Sequence, residues 1–309
     1  MVIARYPREL PRHPRGLCLA MGMFDGVHLG HQHVVRSALL EAATQGARGV
    51  VVTFDPHPLA VVDPARAPLL LQTLPQRLRA IAALGADTVL VNPFTKEFAS
   101  VTGEGFVRGL ATDAGPLRSI SVGQGFHFGN RRSGNVPLLR VLGAELGFVT
   151  HECAPVSIGD ERVSSSLVRR CLRAGQFEQV AELLGRPCSL VGTVVAGDRL
   201  GRQLGFPTAN LDVRGLELPP HGVYAARVLV RREIVPGVLN LGIRPTLGNS
   251  DGELRFEVHL LDFRGDLYGE ELEVGFVAKL RDERKFPGID ALKAQIGLDV
   301  AAARAILTA

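Results

Sequence analysis

The chain has no tryptophan, three tyrosines, three methionines and four cysteines in 309 residues. The cysteines, Cys18, Cys153, Cys171 and Cys188, stand far apart with no C-x-x-C pair, which argues against both a zinc knuckle and a disulfide scaffold. They are expected to be reduced, buried thiols. No apolar run approaches the ~18 residues a membrane-spanning helix needs. The first fifteen residues carry arginine and proline but lack the apolar stretch of a secretory signal. A cytoplasmic protein without a membrane partner is expected. Lysine is scarce too: of 35 basic side chains only Lys96, Lys279, Lys285 and Lys293 are lysines, the rest arginines, and the net charge is +4. Basic and acidic residues are interleaved rather than gathered into a stripe, so small anionic ligands fit better than nucleic acid. Weak homo-oligomer formation stays open.

What is present is a globular composition, 46% apolar and 21% charged, in a chain long enough for two domains. From Gly16 to about Leu184, short apolar runs alternate with amphipathic ones, the signature of a doubly wound parallel sheet. Expected strands are Leu17–Met21, Val50–Phe54, Thr88–Val91, Ser119–Val122 and Phe148–Glu152. Expected helices are His31–Gln45, Pro75–Leu84, Gly103–Asp113, Val136–Leu146, Ser164–Ala174 and Phe177–Leu184. A ligand belongs at the carboxyl ends of such strands. Around Gly185-Arg186-Pro187 the rhythm changes, which places the domain boundary between 185 and 186. Strands follow at Leu190–Ala196, Gly222–Val230, Ile234–Leu241, Leu254–Leu261 and Glu271–Leu280, then a closing helix at Asp290–Leu307. That pattern predicts a small antiparallel barrel.

The most informative stretch, Gly22-Met23-Phe24-Asp25-Gly26-Val27-His28-Leu29-Gly30-His31, leaves a predicted strand and enters a predicted helix. A glycine-rich turn running into a helix N-terminus lets backbone N–H groups approach a phosphate, and two imidazoles bracketing a glycine add donors for an α-phosphate under attack. Thr53-Phe54-Asp55-Pro56-His57-Pro58 follows, then Val122-Gly123-Gln124-Gly125-Phe126-His127-Phe128-Gly129-Asn130, then Ser164-Ser165-Ser166-Leu167-Val168-Arg169. In this order the segments resemble the nucleotidyltransferase half of the bifunctional riboflavin kinase/FAD synthetase family. The resemblance implies an ATP site of Gly22, Phe24, Asp25, Gly26, His28, His31, Ser165, Ser166 and Arg169, with His28, His31 and Arg169 acting on the phosphates. It implies flavin contacts at His57, Phe126 and Phe128. From the residues alone, Phe126 and Phe128 serve equally as core, Ser164–Ser166 as a helix cap and His57 as a turn former. The chain departs from the family at Gly125, where an acidic or amide residue is usual, and at Met23, often Asn.

Beyond the boundary, Gly192, Gly197, Gly201 and Gly205 punctuate a stretch that ends in Pro207-Thr208-Ala209-Asn210. Bare backbone around glycines makes anion-binding concavities, and a hydroxyl with an amide oxygen can complete Mg²⁺ coordination. This stretch resembles the riboflavin kinase signature, and Gly222–Ala225, Leu239–Thr246, Phe256–Phe263, Tyr268-Gly269, Arg281 and Phe286 continue the likeness. The resemblance implies that Gly192, Gly197, Gly201, Gly205, Pro207, Thr208 and Asn210 bind ATP, that Thr208 and Asn210 hold Mg²⁺, that Glu257 is the base, and that Arg281 and Phe286 meet the flavin. Without it, Glu257 would be read as one outward residue of a strand.

The fold class expected is therefore α/β plus β: a doubly wound, parallel-sheet nucleotidyltransferase domain of H-x-G-H type, then an antiparallel β-barrel kinase domain with a C-terminal helix. The implied substrates are riboflavin, FMN and ATP, the products FMN and FAD, and the metal Mg²⁺ in both halves. Three rivals remain from the sequence: a kinase whose first domain is weak or silent, another H-x-G-H adenylyltransferase such as one acting on a pantetheine phosphate, and a flavin-binding regulator without turnover.

Overall fold

Runs such as Val50-Val51-Val52 and Val89-Leu90-Val91 are apolar at every position, as strands covered on both faces require. In the computed structural model, which describes residues 1–198, 200–246 and 249–308, the side chains of 244–253 excepted, these runs are fully buried. Arg199, inside the glycine-rich stretch, lies outside the described residues. By packing, the chain divides into two units, Met1–Val168 and Arg169–Ala309.

The first unit is a six-stranded parallel sheet of β1 (Val2–Ala4), β2 (Leu17–Met21), β3 (Arg48–Asp55), β4 (Thr88–Pro93), β5 (Leu117–Gly123) and β6 (Val149–Cys153), in the order β1-β4-β3-β2-β5-β6. The period-two alternation of side chains splits its core in two. Leu17, Leu19, Met21, Val50, Val52 and Ile120 pack on one face, and Ala20, Val51, Val89 and Val91 on the other. Helices α1 (Leu29–Gln45), α2 (Leu74–Ala82), α3 (Gly103–Ala114) and α4 (Val136–Leu146) connect the strands. Strand order reverses between β2 and β5, so the crevice at their carboxyl ends is the expected ligand position. The three-residue edge strand β1, parallel to β4, is too short to carry a sequence pattern.

Helix α5 (Ser165–Arg173) contains the packing boundary, and α6 (Phe177–Leu184) belongs to the second unit. That unit is a closed barrel of β7 (Ser189–Val195), β8 (Ala209–Asp212), β9 (Gly222–Val230), β10 (Glu233–Thr246), β11 (Asn249–Leu260) and β12 (Glu271–Arg281). The strands run in the order β7-β8-β11-β10-β9-β12, with β12 pairing back onto β7 and every pair antiparallel. Closure removes the edges that would otherwise template aggregation. Strand β8 is hidden in the sequence because its first two residues belong to the Pro-Thr-Ala-Asn motif and it is only four residues long. Helix α7 (Ile289–Thr308) lays Ala303 against Val223, Ala225 and Val238 of the barrel. All four cysteines are free and buried, and burial pushes the Cys188 thiol up to about 12.

An aromatic stack explains why α6 packs with the barrel although the composition shift comes after it. Phe177 lies parallel to Phe276, centroids 5.0 Å apart, and edge-on to the fully buried Tyr224 at 5.7 Å. Phe177→Ala should cost roughly 2 kcal/mol, less than a fully buried ring. Calorimetry should show a melting shift of roughly 4–8 °C in the barrel transition; an unmoved transition would remove α6 from that cooperative unit.

Two candidate active sites

At the end of β2 the chain makes a turn that ordinary side chains avoid: Phe24 has φ 53°, Gly26 φ 88° and Val27 φ 40°. The surrounding structure holds this turn by its polar groups. The Asp25 carboxylate, 3% exposed, accepts from the backbone N–H groups of Leu71 at 3.1 Å and Gln72 at 3.3 Å. The Asp25 carbonyl accepts from Ser165 Oγ at 2.9 Å, and the Val27 carbonyl from Gln32 Nε2 at 3.0 Å. Thr53 Oγ1 and Arg77 Nη1 both donate to the Met23 carbonyl, at 2.9 and 3.0 Å. Gly22 lies so close to the Phe24 ring that a Cβ would stand 2.9 Å from it, and Phe24 itself is core.

The turn delivers His28 to the N-cap of α1, where its Nδ1 accepts from the His31 N–H at 3.3 Å. In the neutral ring this makes Nε2 the donor. The His28 and His31 rings stack, centroids 3.6 Å apart and planes 21° apart. The two imidazoles lie at the start of a 17-residue helix, the end where aligned backbone dipoles favour an anion. His57 caps the short helix Pro58–Val62, its Nδ1 accepting from Leu59 N–H at 3.2 Å. Phe126 and Phe128 stack at 5.5 Å; Phe128 is enclosed in the core, whereas Phe126 is half-buried and keeps open surface. Ser166 is exposed at the start of α5, and Arg169, four residues after Ser165 in that helix, is buried. Gly125 has φ 73°, and a Cβ there would meet nothing within 4 Å. That is a left-handed turn which Asn or Asp also tolerates.

In the second unit, the glycine-rich stretch and the barrel strands enclose a cavity of about 320 Å³, lined by Gly201, Thr208, Asn210, Glu257, Arg281 and Phe286 among others. Six residues expected from the sequence therefore meet in one place. Register explains it: Glu257 on β11 stands opposite Asn210 on β8 and Asn240 on β10. Two glycines make room for the two oxygen donors. A Cβ at Gly197 would collide with the Asn210 amide, and one at Gly201 would collide with the Phe206 carbonyl and stand 3.2 Å from Thr208 Oγ1. Gly205, φ 89°, serves the turn, and Gly192 lies inside β7, where a Cβ would press on the Asp212 carbonyl at 2.8 Å. Pro207 has no N–H to donate, and its carbonyl lies 2.7 Å from His259 Nδ1. Arg281 is fixed by Asp299 of α7, Nη2 to Oδ2 at 2.8 Å, with its guanidinium carbon 5.6 Å from the Phe286 ring centre.

A riboflavin kinase family model matches residues 184–307, and an FAD synthetase model matches residues 10–167. A Pseudomonas fluorescens protein described as a bifunctional riboflavin kinase/FMN adenylyltransferase is 40% identical over 296 residues, 96% of this chain and 94% of its own length. The chain belongs to the bifunctional riboflavin kinase/FMN adenylyltransferase family. The Escherichia coli K12 member is 38% identical over 306 residues, covering 98% of this chain and 97% of its own. A crystal structure from Streptococcus pneumoniae, described as a macrolide-efflux protein, superposes with a TM-score of 0.82 at 28% identity, covering 98% of both chains. Among the described residues, no helix of this family member is long and apolar enough to cross a membrane.

Several residues around the turn and the cavity carry no motif. Arg77 is 3% exposed and bonds two strand ends at once, Nη1 to the Met23 carbonyl and Nη2 to the Phe54 carbonyl at 3.1 Å, with Asp55 at 3.7 Å. Burial lowers its pKa from the ordinary arginine value, opposed by Asp55 and Asp25. Its signal is a charged residue on the buried stripe of α2, four residues before Ile81. Arg255, Asn240 and Asp299 also line the kinase cavity; Arg255 is legible only as the residue two before Glu257, on the same strand face. Arg77→Met takes a buried charged donor from two strand-end carbonyls, costing roughly 2–4 kcal/mol. Purified Arg77→Met should lose most FAD formation from supplied FMN while FMN formation persists. Equal loss of both activities would show that Arg77 is not specific to the first site.

Proposed function

We propose that residues 186–309 carry the kinase site and residues 1–185 the adenylyltransferase site of this bifunctional enzyme. The protein phosphorylates riboflavin to FMN with ATP, then transfers AMP from a second ATP to FMN, giving FAD and pyrophosphate. The observation that carries the residue assignment is the convergence of Thr208, Asn210, Glu257, Arg281 and Phe286 on one cavity.

In the kinase site Glu257 takes the proton of the ribityl hydroxyl as that oxygen bonds to the γ-phosphorus, and ADP leaves with the electrons of the broken P–O bond. Phe286, braced by Arg281, offers a face to the isoalloxazine ring. Thr208 and Asn210 are neutral, hard oxygen donors with glycines making room beside them, a set that fits Mg²⁺ held with phosphates and water. Such an ion supplies charge neutralisation to the polyphosphate. In the adenylyl site His28, His31 and the start of α1 receive the phosphates while a phosphate oxygen of FMN attacks the α-phosphorus and pyrophosphate departs. Ser165, Ser166 and Arg169 hold the adenylate, and His57 and Phe126 face the flavin, with Phe128 behind Phe126. The one carboxylate of the turn, Asp25, already accepts from the N–H groups of Leu71 and Gln72, so the triphosphate and water would be the main ligands of a Mg²⁺ there. Dependence on ATP in both steps supports a cytoplasmic setting.

Chromatography of riboflavin, ATP and Mg²⁺ incubated with the protein should show FMN first and FAD later. Glu257→Ala should make no FMN yet still convert supplied FMN to FAD. FMN without FAD from the unaltered protein would overturn the adenylyl assignment, and FMN from Glu257→Ala would overturn the base.

A further inference from the structure

Phosphoryl transfer spreads negative charge over the migrating group, and a fixed guanidinium is the strongest side-chain complement to it. Basic residues lining the kinase cavity, among the described residues, are Arg255, His259, Arg281 and Arg284. Three have structural attachments within the barrel unit. Arg281 is clamped to the buried Asp299. Arg284 bonds Gln295 of α7 and lies 4.9 Å from the Phe286 ring centre. His259 Nδ1 is 2.7 Å from the Pro207 carbonyl.

Arg255 is placed differently. It shares the cavity face of β11 with Glu257, its Nη1 standing 3.4 Å from Glu257 Oε1. Its Nη2 pairs with Asp198, which lies in the glycine-rich stretch between Gly197 and Gly201. The guanidinium thus spans the gap between the base and the stretch that includes Thr208 and Asn210, and its side chain is about one-fifth exposed whereas that of Asp198 is about half exposed. A part-exposed ion pair of this kind is weak and exchangeable. A phosphate brings a bidentate acceptor of higher charge than the Asp198 carboxylate, so it competes for the same donors.

We propose that Arg255 is a catalytic residue of the kinase site, contacting the transferring phosphoryl group, with Asp198 holding that guanidinium until the nucleotide replaces it. This rests on the reading of Glu257 as the base. The ribityl oxygen forms the new bond to phosphorus, its proton passes to Glu257, and the bond to the ADP oxygen breaks with its electrons leaving on ADP. Arg255 gains and loses no proton; its charge meets the equatorial phosphoryl oxygens as they become more negative.

A purely structural bridge and a phosphoryl contact make different predictions. Arg255→Gln and Asp198→Asn both break the pair with Asp198, but Arg255→Gln alone also removes the pair with Glu257. Its pH–rate profile separates the two, a shifted profile marking a lost brace on the base and an unshifted one a lost phosphoryl contact. The assay measures FMN formation in the full-length protein at varied ATP, with FAD formation from supplied FMN and the melting temperature as controls for folding. Arg255→Gln should lower the kinase kcat roughly 100- to 1,000-fold, with Arg255→Lys recovering part of it and FAD formation retained. Asp198→Asn should change mainly the KM for ATP, with kcat within about threefold. Equal kcat losses in both variants, or full turnover in Arg255→Gln, would overturn the assignment of Arg255. Glu257→Gln separates the two readings: full turnover there overturns the base and the alignment built on it, whereas an inactive Glu257→Gln beside a fully active Arg255→Gln overturns Arg255 alone.

Discussion

Asn210, Glu257 and Asn240 stand opposite one another on three neighbouring strands, and the kinase cavity depends on that ladder register. Because side chains alternate across a strand, a one-residue slip of β11 would turn Arg255 and Glu257 away and bring Phe256 and Val258 to the cavity. Those two residues are 2% and 0% exposed, as are Leu239 and Leu241 of β10 at 0%. The cost of exposing that apolar set fixes the register. Core packing thereby aligns the polar row.

The first unit meets the same requirement by other means. Its proposed site lies on a turn rather than on a ladder, and two non-glycine residues of that turn hold positive φ. Such backbone persists only where its surroundings over-determine it. Here Thr53, Arg77, Gln32 and Ser165 each donate to a carbonyl of the turn, and Asp25 accepts from the backbone of Leu71 and Gln72. Arg77 also reaches the end of β3, so the segments that carry His28 and His57 are tied through one guanidinium.

Much of this is legible in the sequence where a local rule decides the outcome. Helix α4 runs over the very residues its pattern predicts: Asn135 caps it at 2.9 Å to Leu138 N–H, proline opens it and left-handed Gly147 ends it. Strands β2 and β9 likewise match to the residue, the first following Gly16 and the second starting at Gly222. Arg77 and Arg255 leave only a faint trace, a charge on a buried helix stripe and a place two residues before Glu257, because their meaning lies in partners distant along the chain, or in the pairing of a strand face. The packing boundary within α5 is illegible for the same reason. Composition shifts at Gly185, but Phe177 is held by Tyr224 and Phe276, both far along the chain in the barrel wall. Phe128, open between core and flavin wall from its sequence, is core because Gly103 and Gly134 pack directly on its ring.

On the assignment proposed above, the two sites differ in where they keep a carboxylate, and the difference follows the nucleophile. A ribityl hydroxyl must lose a proton as it is phosphorylated, so a kinase site needs an acceptor beside the phosphate-binding groups, and Glu257 faces that cavity. The phosphate of FMN is already an anion and needs no base to attack. A carboxylate facing it would add repulsion, and the Asp25 carboxylate is instead buried against backbone N–H groups, where it shapes the turn. Neutral or cationic donors are what such a site calls for, and the stacked imidazoles at the head of α1 are groups of that kind.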